Sequence, residues 1–294
     1  SSSVAVAAVL AAAAAPRPQL GPDGRVQDAT KFLSGKLDDV KTMMGGDVMA
    51  IPRDQDLGIG QSTLCFRNLA FSIKDHDGAH KVILTPTSGA FAAGSMVALM
   101  GPSGCGKTTL LDMLAGKKTS AYAGEVFLNG RPRDRLYPRI TSYVPQQDVM
   151  PAYWTVCEAV EFNHQLRVDA DMSPELRRKF IDDILNFFGL FSVKDSLIGD
   201  ETVRGISGGQ RRRVSLARGF VGGSQIVFAD EPTSGLSATD AELCVRALAA
   251  ASRKQGVTFV VVIHQPRVEV AAMFDHLVLL TSHPGRVVYN GSFP

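Results

Sequence analysis

The chain has 294 residues, 45% of them hydrophobic, which allows one large or two small domains with an ample core. Lys plus Arg total 31 against 29 for Asp plus Glu, and a net charge of +2 leaves no basic excess from which to build a nucleic-acid face, so no nucleic-acid partner is expected. The longest apolar run, Val4 to Ala15, is mostly alanine and too short to span a bilayer.

In chain order, residues 1–60 are rich in Ala, Pro and Gly and are expected to be a disordered segment, leaving one domain over 61–294. Leu64 to Ile73 and Lys81 to Thr85 alternate as strands and open a small β-rich layer. The apolar run Met96 to Met100 reads as a buried strand. It is followed by Gly101-Pro102-Ser103-Gly104-Cys105-Gly106-Lys107-Thr108-Thr109 and a helix. Gly124 to Gly130 and Ile140 to Val144 read as short strands. Between Thr155 and Val203 the period turns helical, with Val156, Ala159, Val160, Phe162, Leu176, Phe180, Ile184, Leu185 and Phe188 on apolar faces, predicting an inserted helical subdomain at about 150–220. The last third predicts strands Gln225 to Ala229, Val257 to Ile263 and His276 to Leu280, with helices Thr239 to Gln255 and Val268 to Phe274 between them. A parallel sheet covered on both faces follows from those continuous apolar strands. Arg286 to Tyr289 with a turn at Asn290-Gly291 reads as an edge hairpin.

The segment Gly101 to Thr108 fits G-x-x-x-x-G-K-[ST] between a strand and a helix, the setting in which backbone N–H groups and a helix N-terminus cradle phosphates. Lys107 then reaches the β/γ-phosphates and Thr108 holds Mg²⁺. Asp230, ending a buried strand, can complete the Mg²⁺ coordination, and Glu231 is placed to polarise a water. Ile206-Ser207-Gly208-Gly209-Gln210 opens a helix carrying Arg211, Arg212 and Arg213 and makes a second phosphate nest. One nucleotide needs one cradle, so the second nest makes sense if it closes over a phosphate held by another copy. His264, at a strand end, suits a γ-phosphate contact, although a lone histidine there is more often structural. Gln146 is neutral and can bond both the metal and the attacking water. Cys65, Cys105, Cys157 and Cys244 lack paired metal spacing and read as reduced thiols of a cytosolic setting; Cys105 would block ATP binding on alkylation if its thiol is reachable.

The series Gly101 to Thr108, Gln146, Ile206 to Gln210, Asp230-Glu231 and His264 resembles the ATP-binding cassette ATPases from about Thr63 to the C-terminus. Val203 to Gln210 and Ile263-His-Gln-Pro266 are similar in particular to the G (White) subfamily of half-transporters. The resemblance implies an α/β P-loop NTPase with a small antiparallel β layer, ATP and Mg²⁺ as ligands, and ATP hydrolysis with Glu231 as general base. It also implies a second cassette as homo- or heterodimer partner, and export across a membrane. Gln146 would couple nucleotide state to a membrane domain, with Thr155-Val156 and Glu158 near that contact. In the subfamily the membrane domain follows the ATPase, so the chain is expected to be a soluble piece of an integral membrane transporter, on the cytosolic face. Two positions depart from the family: Ser237 replaces the carboxylate ending the S-x-L-D loop, and Ile73 falls where an aromatic stacks on adenine, with Phe71 expected on the same strand face. Two other readings are a soluble cassette ATPase of DNA repair or translation, disfavoured by the single phosphate loop and absent heptads, and a regulatory ATP-binding module, disfavoured by Glu231. No N-K-x-D segment supports a GTPase.

Overall fold

The computed structural model describes residues 62–74, 80–168, 172–282 and 284–293; the expected disordered segment 1–60 lies outside them. Among the described residues ten strands form two sheets. The first contains β1 (Leu64–Lys74), β2 (His80–Phe91), β4 (Ala123–Leu128) and β5 (Arg131–Pro132) in the order β2-β1-β4-β5, paired antiparallel. The second has the order β10-β9-β3-β8-β7-β6, from β3 (Met96–Met100), β6 (Thr141–Val144), β7 (Ile226–Asp230), β8 (Thr258–Val262), β9 (His276–Thr281) and β10 (Arg286–Ser292). Its first five strands in chain order run parallel and β10 returns antiparallel on β9. Every residue of β3, β7 and β8 is buried, which accounts for their unbroken apolar sequences: both faces are covered.

Seven helices are described: α1 (Lys107–Ala115), α2 (Tyr137–Ile140), α3 (Val156–Arg167), α4 (Pro174–Phe187), α5 (Gly208–Phe220), α6 (Ala238–Gln255) and α7 (Val268–Ala271). Helix α1 lies between the sheets, touching β1 on one side and β6, β7 and β8 on the other, while α6 packs on β3 and β8. The core follows from this layering: Leu99, Leu110, Leu114, Phe228, Val260 and Val278 are wholly buried in one cluster. Truncating any of the large ones to Ala would cost about 2–5 kcal/mol. Helix α5 joins β6 to α3, and Phe220 at its end stacks on Phe259 of β8 at 6.4 Å. No helix among the described residues is long and apolar enough to cross a membrane.

Several expectations need correcting. Phe162 and Leu176, expected on apolar core faces, are 45% and 40% exposed. In α3 the buried stripe runs Val156, Val160, His164 at i, i+4, i+8, and Phe162 lies off it. Asn290-Gly291 is not a turn: β10 runs through it because the Asn290 side chain accepts from His276 Nε2 at 2.7 Å and donates to the Ser88 carbonyl at 3.0 Å. The reversal comes earlier, around Gly285. The predicted helix Val268 to Phe274 shrinks to the single turn of α7.

Candidate functional site

Parallel pairing sets the site. Strands β3, β8, β7 and β6 are neighbours in that order, so the turns after them share one sheet edge: the phosphate loop, His264, Asp230-Glu231 and Gln146. Residues separated by up to 163 positions in the chain become adjacent through strand order alone.

The phosphate loop leaves β3 at Gly101, whose φ of 152° and tight seat exclude a side chain: a Cβ would lie 2.5 Å from the Leu280 carbonyl oxygen and 2.8 Å from Cys105 Sγ. Pro102, Ser103 and Gly104 are exposed at its crest. Gly106, at φ 92°, enters α1 in the left-handed region that glycine tolerates. Lys107 is 5% exposed and its Nζ donates to the carbonyls of Gly101 and Pro102, both at 2.9 Å, so the ammonium is folded into the loop's own concavity. Thr109 continues the first turn of α1. Cys105 contributes packing: its thiol is fully buried and burial pushes its pKa up, so the reachable, alkylatable thiol required by the sequence expectation is not there.

Thr108 Oγ1 donates to Asp230 Oδ1 at 3.2 Å, bringing together the two oxygens expected to hold Mg²⁺. Burial pushes the Asp230 carboxyl above its ordinary value; Thr108 opposes this, the nearby Glu231 and Asp112 charges add to it, and Arg212 opposes it again. A buried carboxylate disfavoured in its charged form, beside a hydroxyl, is a donor set that a hard divalent cation would satisfy, so Thr108 and Asp230 fit Mg²⁺. Glu231 follows at φ 46°, a conformation unusual for a residue with a side chain and of a kind that collects at active sites. Both of its carboxylate oxygens are engaged: Gln146 Nε2 donates to Oε2 at 2.8 Å and His264 Nε2 to Oε1 at 2.5 Å. With its amide nitrogen so used, Gln146 retains its amide oxygen for a cation.

The second nest is built but separate. Ser207 and Gln210 form a capping box at the start of α5: the hydroxyl accepts from Gln210 N–H, and the Gln210 side-chain oxygen accepts from Ser207 N–H. Gly208 follows Ser207 and is open above, whereas Gly209 sits against the Asp240 carboxylate. None of the hydrogen bonds described for Ser207–Gln210 reaches the phosphate loop; they stay within the box and its helix.

Two departures are clarified. Ser237 is the N-cap of α6: it accepts from Asp240 N–H at 3.1 Å and donates to Asp240 Oδ2 at 2.7 Å. Phe71 is 7% exposed with Lys118 Nζ 4.1 Å above its ring, while Ile73, two residues nearer the strand end, is 41% exposed. Phe71 instead lines a recess of about 380 Å³ with Val82, Leu84 and Tyr122.

The residue that sequence reasoning passed over is Arg212. It is 3% exposed and its guanidinium donates to the carbonyls of Pro145, Gln146, Asp230 and Pro232 and to the Asp148 carboxylate. A signal was present: Arg212 lies on the buried stripe with Leu216 and Phe220 at i, i+4, i+8.

A strand-loop-helix phosphate cradle beside an acidic strand end defines a P-loop nucleotide-binding protein of the α/β class. The family description "ABC transporter" matches residues 84–234, more than half of the chain, and the chain belongs to that family. What it contains is the family's ATPase cassette. It is 39% identical over 235 residues to a probable ATP-dependent permease of Saccharomyces cerevisiae (79% of this chain, 22% of that protein). It is also 39% identical over 238 residues to ABC transporter G family member 22 of Dictyostelium discoideum (79% and 38%). The chain thus spans less than two fifths of the length of these relatives. Among solved structures it is similar to a dimeric ATP-binding cassette in a post-hydrolysis state bound to ADP and Pi, at 25% identity and a TM-score of 0.66 over 79% of this chain and 99% of that one. A second dimeric structure of that same cassette, described as a bacterial ABC transporter cassette, gives 0.67 with the same identity and coverage.

Proposed function

We propose that the domain over 61–294, with its helical part at about 150–220, binds and hydrolyses Mg²⁺-ATP and drives export through a membrane domain that follows it in a longer chain. The observation that carries this reading is Glu231, held between Gln146 and His264 on the same sheet edge as the phosphate loop. Residues Gly101 to Thr109 cradle the phosphates, and Lys107 exchanges two loop carbonyls for β- and γ-phosphate oxygens. Bound by Thr108, Asp230 and Gln146, Mg²⁺ would supply charge neutralisation at the phosphates. With its amide nitrogen on Glu231 Oε2, Gln146 would offer its amide oxygen to the cation and keep the carboxylate aligned to take a proton from water. His264 holds the other oxygen and would contact the γ-phosphate.

The hydrogen bonds of Ser207 and Gln210 stay within their capping box and do not reach the phosphate loop of the same chain, which supports their closing over the nucleotide of a second cassette. The dimeric cassettes to which this chain is similar support the same arrangement. Val149, Tyr153 and Leu166 are 80%, 76% and 67% exposed, the first two in the segment that leads from Gln146 to the Thr155–Glu158 capping box of α3. Exposed apolar side chains there support a contact with a membrane domain, with the cassette on its cytosolic side.

The test is Mg²⁺-ATP hydrolysis against protein concentration, for the parent beside Glu231→Gln. Turnover per chain should rise with concentration and fall about 10²–10⁴-fold in the variant, with ATP binding retained. A variant that hydrolyses like the parent would remove Glu231 from the role of base.

A further inference from the structure

Arg212 occupies an unusual position for a charged side chain: buried in α5, with five hydrogen bonds to two other segments. Nη2 donates to the Asp230 carbonyl at 2.8 Å and Nε to the Pro232 carbonyl at 3.1 Å, so the guanidinium grips the backbone on both sides of Glu231. Nη1 donates to the Pro145 carbonyl at 2.6 Å, the Gln146 carbonyl at 3.3 Å and Asp148 Oδ1 at 2.8 Å, which fixes the turn that presents Gln146. Asp148 supplies the counter-charge for a group that would otherwise be costly to bury. The neighbouring arginines do different work: Arg211 reaches the Ile198 carbonyl, and Arg213 reaches those of Phe188 and Gly189 and pairs with Asp240 of α6 at 3.7 Å.

We infer that Arg212 is a positioning residue for hydrolysis, holding Glu231 and Gln146 in place and tying both to the helix that begins at Ser207. This rests on the reading of Glu231 as the base. The φ of 46° at Glu231 persists only where the surroundings hold it: its N–H donates to the Val262 carbonyl and its carbonyl accepts from Ser234 N–H, both at 3.1 Å, and Arg212 holds the carbonyls on either side. Its planar fork donates in several directions at once, which a lysine ammonium at the end of a flexible stem cannot reproduce. Because Arg212 lies just over one turn from Ser207, a displacement of the α5 N-terminus is transmitted to this chain's own base and glutamine. The nest offered to a partner's nucleotide and the base acting on this chain's nucleotide therefore move as one body. Arg212 touches no part of the phosphate loop through these bonds, so its effect falls on the chemical step more than on ATP binding.

The experiment compares Arg212→Met, Arg212→Lys and Asp148→Asn with the parent and with Glu231→Gln, reading kcat and KM for ATP separately, with ATP affinity and melting temperature. Arg212→Met should lower kcat about ten- to a hundredfold, the scale of a misplaced catalytic group, with KM and affinity within about twofold. Arg212→Lys should recover part of kcat, and Asp148→Asn should lower it less than Arg212→Met does. If Arg212→Met does not fold, the other two decide, and parent-like kcat in both overturns the proposal. Parent-like kcat in Arg212→Met while Glu231→Gln is inactive also overturns it and leaves the base intact. Loss of ATP affinity in step with kcat and melting temperature assigns Arg212 to scaffolding and rejects positioning. Turnover persisting in Glu231→Gln instead rejects the reading of the base.

Discussion

Ser237 shows how a single departure from a family pattern acquires a local job. Its hydroxyl accepts from Asp240 N–H and donates to the Asp240 carboxylate, so the N-terminus of α6 is capped and a carboxylate is still presented three residues on. Ser237→Ala should destabilise the chain by about 1 kcal/mol, the usual worth of an N-cap, read as a lower denaturation midpoint. Ser237→Asp restores the family residue yet should gain nothing, because the new carboxylate meets that of Asp240 in place of a donor. An unchanged midpoint in Ser237→Ala would mean the hydroxyl is not capping. Most of the site is readable at this scale, since Gly101 to Thr108, Asp230-Glu231 and Gln146 carry their chemistry in residue type and spacing. The contact of His264 with Glu231 was not, because it depends on which strand lies beside which.

Helices α3 and α4 illustrate what periodicity can and cannot supply. It located both, but it treated apolar residues as buried ones, and Phe162 and Leu176 are not. Conversely, His164 completes the buried stripe of α3: its ring is 2% exposed, 5.1 Å from Phe180 of α4, and neither ring nitrogen has a hydrogen-bond partner. Burial holds its pKa below the ordinary 6.5, with the Arg177 charge adding to the effect and Glu161 opposing it. The unfolded chain therefore takes up a proton first as the pH falls. Stability contributed by the neutral ring is present above about pH 6.5 and is lost as the pH falls from there through the depressed value. Melting temperatures should decline below that point, and His164→Leu should flatten the decline; an identical slope in the variant would place the acid sensitivity elsewhere. The same limit of local pattern explains β10, where Asn290-Gly291 has turn composition but the Asn290 amide joins His276 to Ser88.

At the scale of the molecule, the parallel sheet and its active edge were foreseeable from buried strands alternating with helices, whereas strand order was not, because nothing local in Met96–Met100 states that its neighbours are β8 and β9. A composite site also predicts an assembly. Glu231→Gln, unable to turn over, should accumulate as an ATP-dependent dimer, seen as a doubling of mass in sedimentation that reverses on removing nucleotide. A mass unmoved by ATP at saturating concentration would argue that Ser207 to Gln210 do not meet a second chain's phosphate.

The setting of β3 has a consequence for how the protein is made. Its phosphate loop is backed by the Leu280 carbonyl behind Gly101, and by Gly285, which packs against the Cys105 carbonyl and bonds to Ile83 and Thr85 of β2. Both supports belong to the β9–β10 hairpin, far along the chain. A ribosome that has released Gly101 to Thr108 has therefore not yet made a nucleotide grip, and most of the remaining sequence must emerge and dock before one exists. Because ATP then favours only the chain in which that closure has happened, the nucleotide stabilises the cassette only once the β9–β10 hairpin has docked.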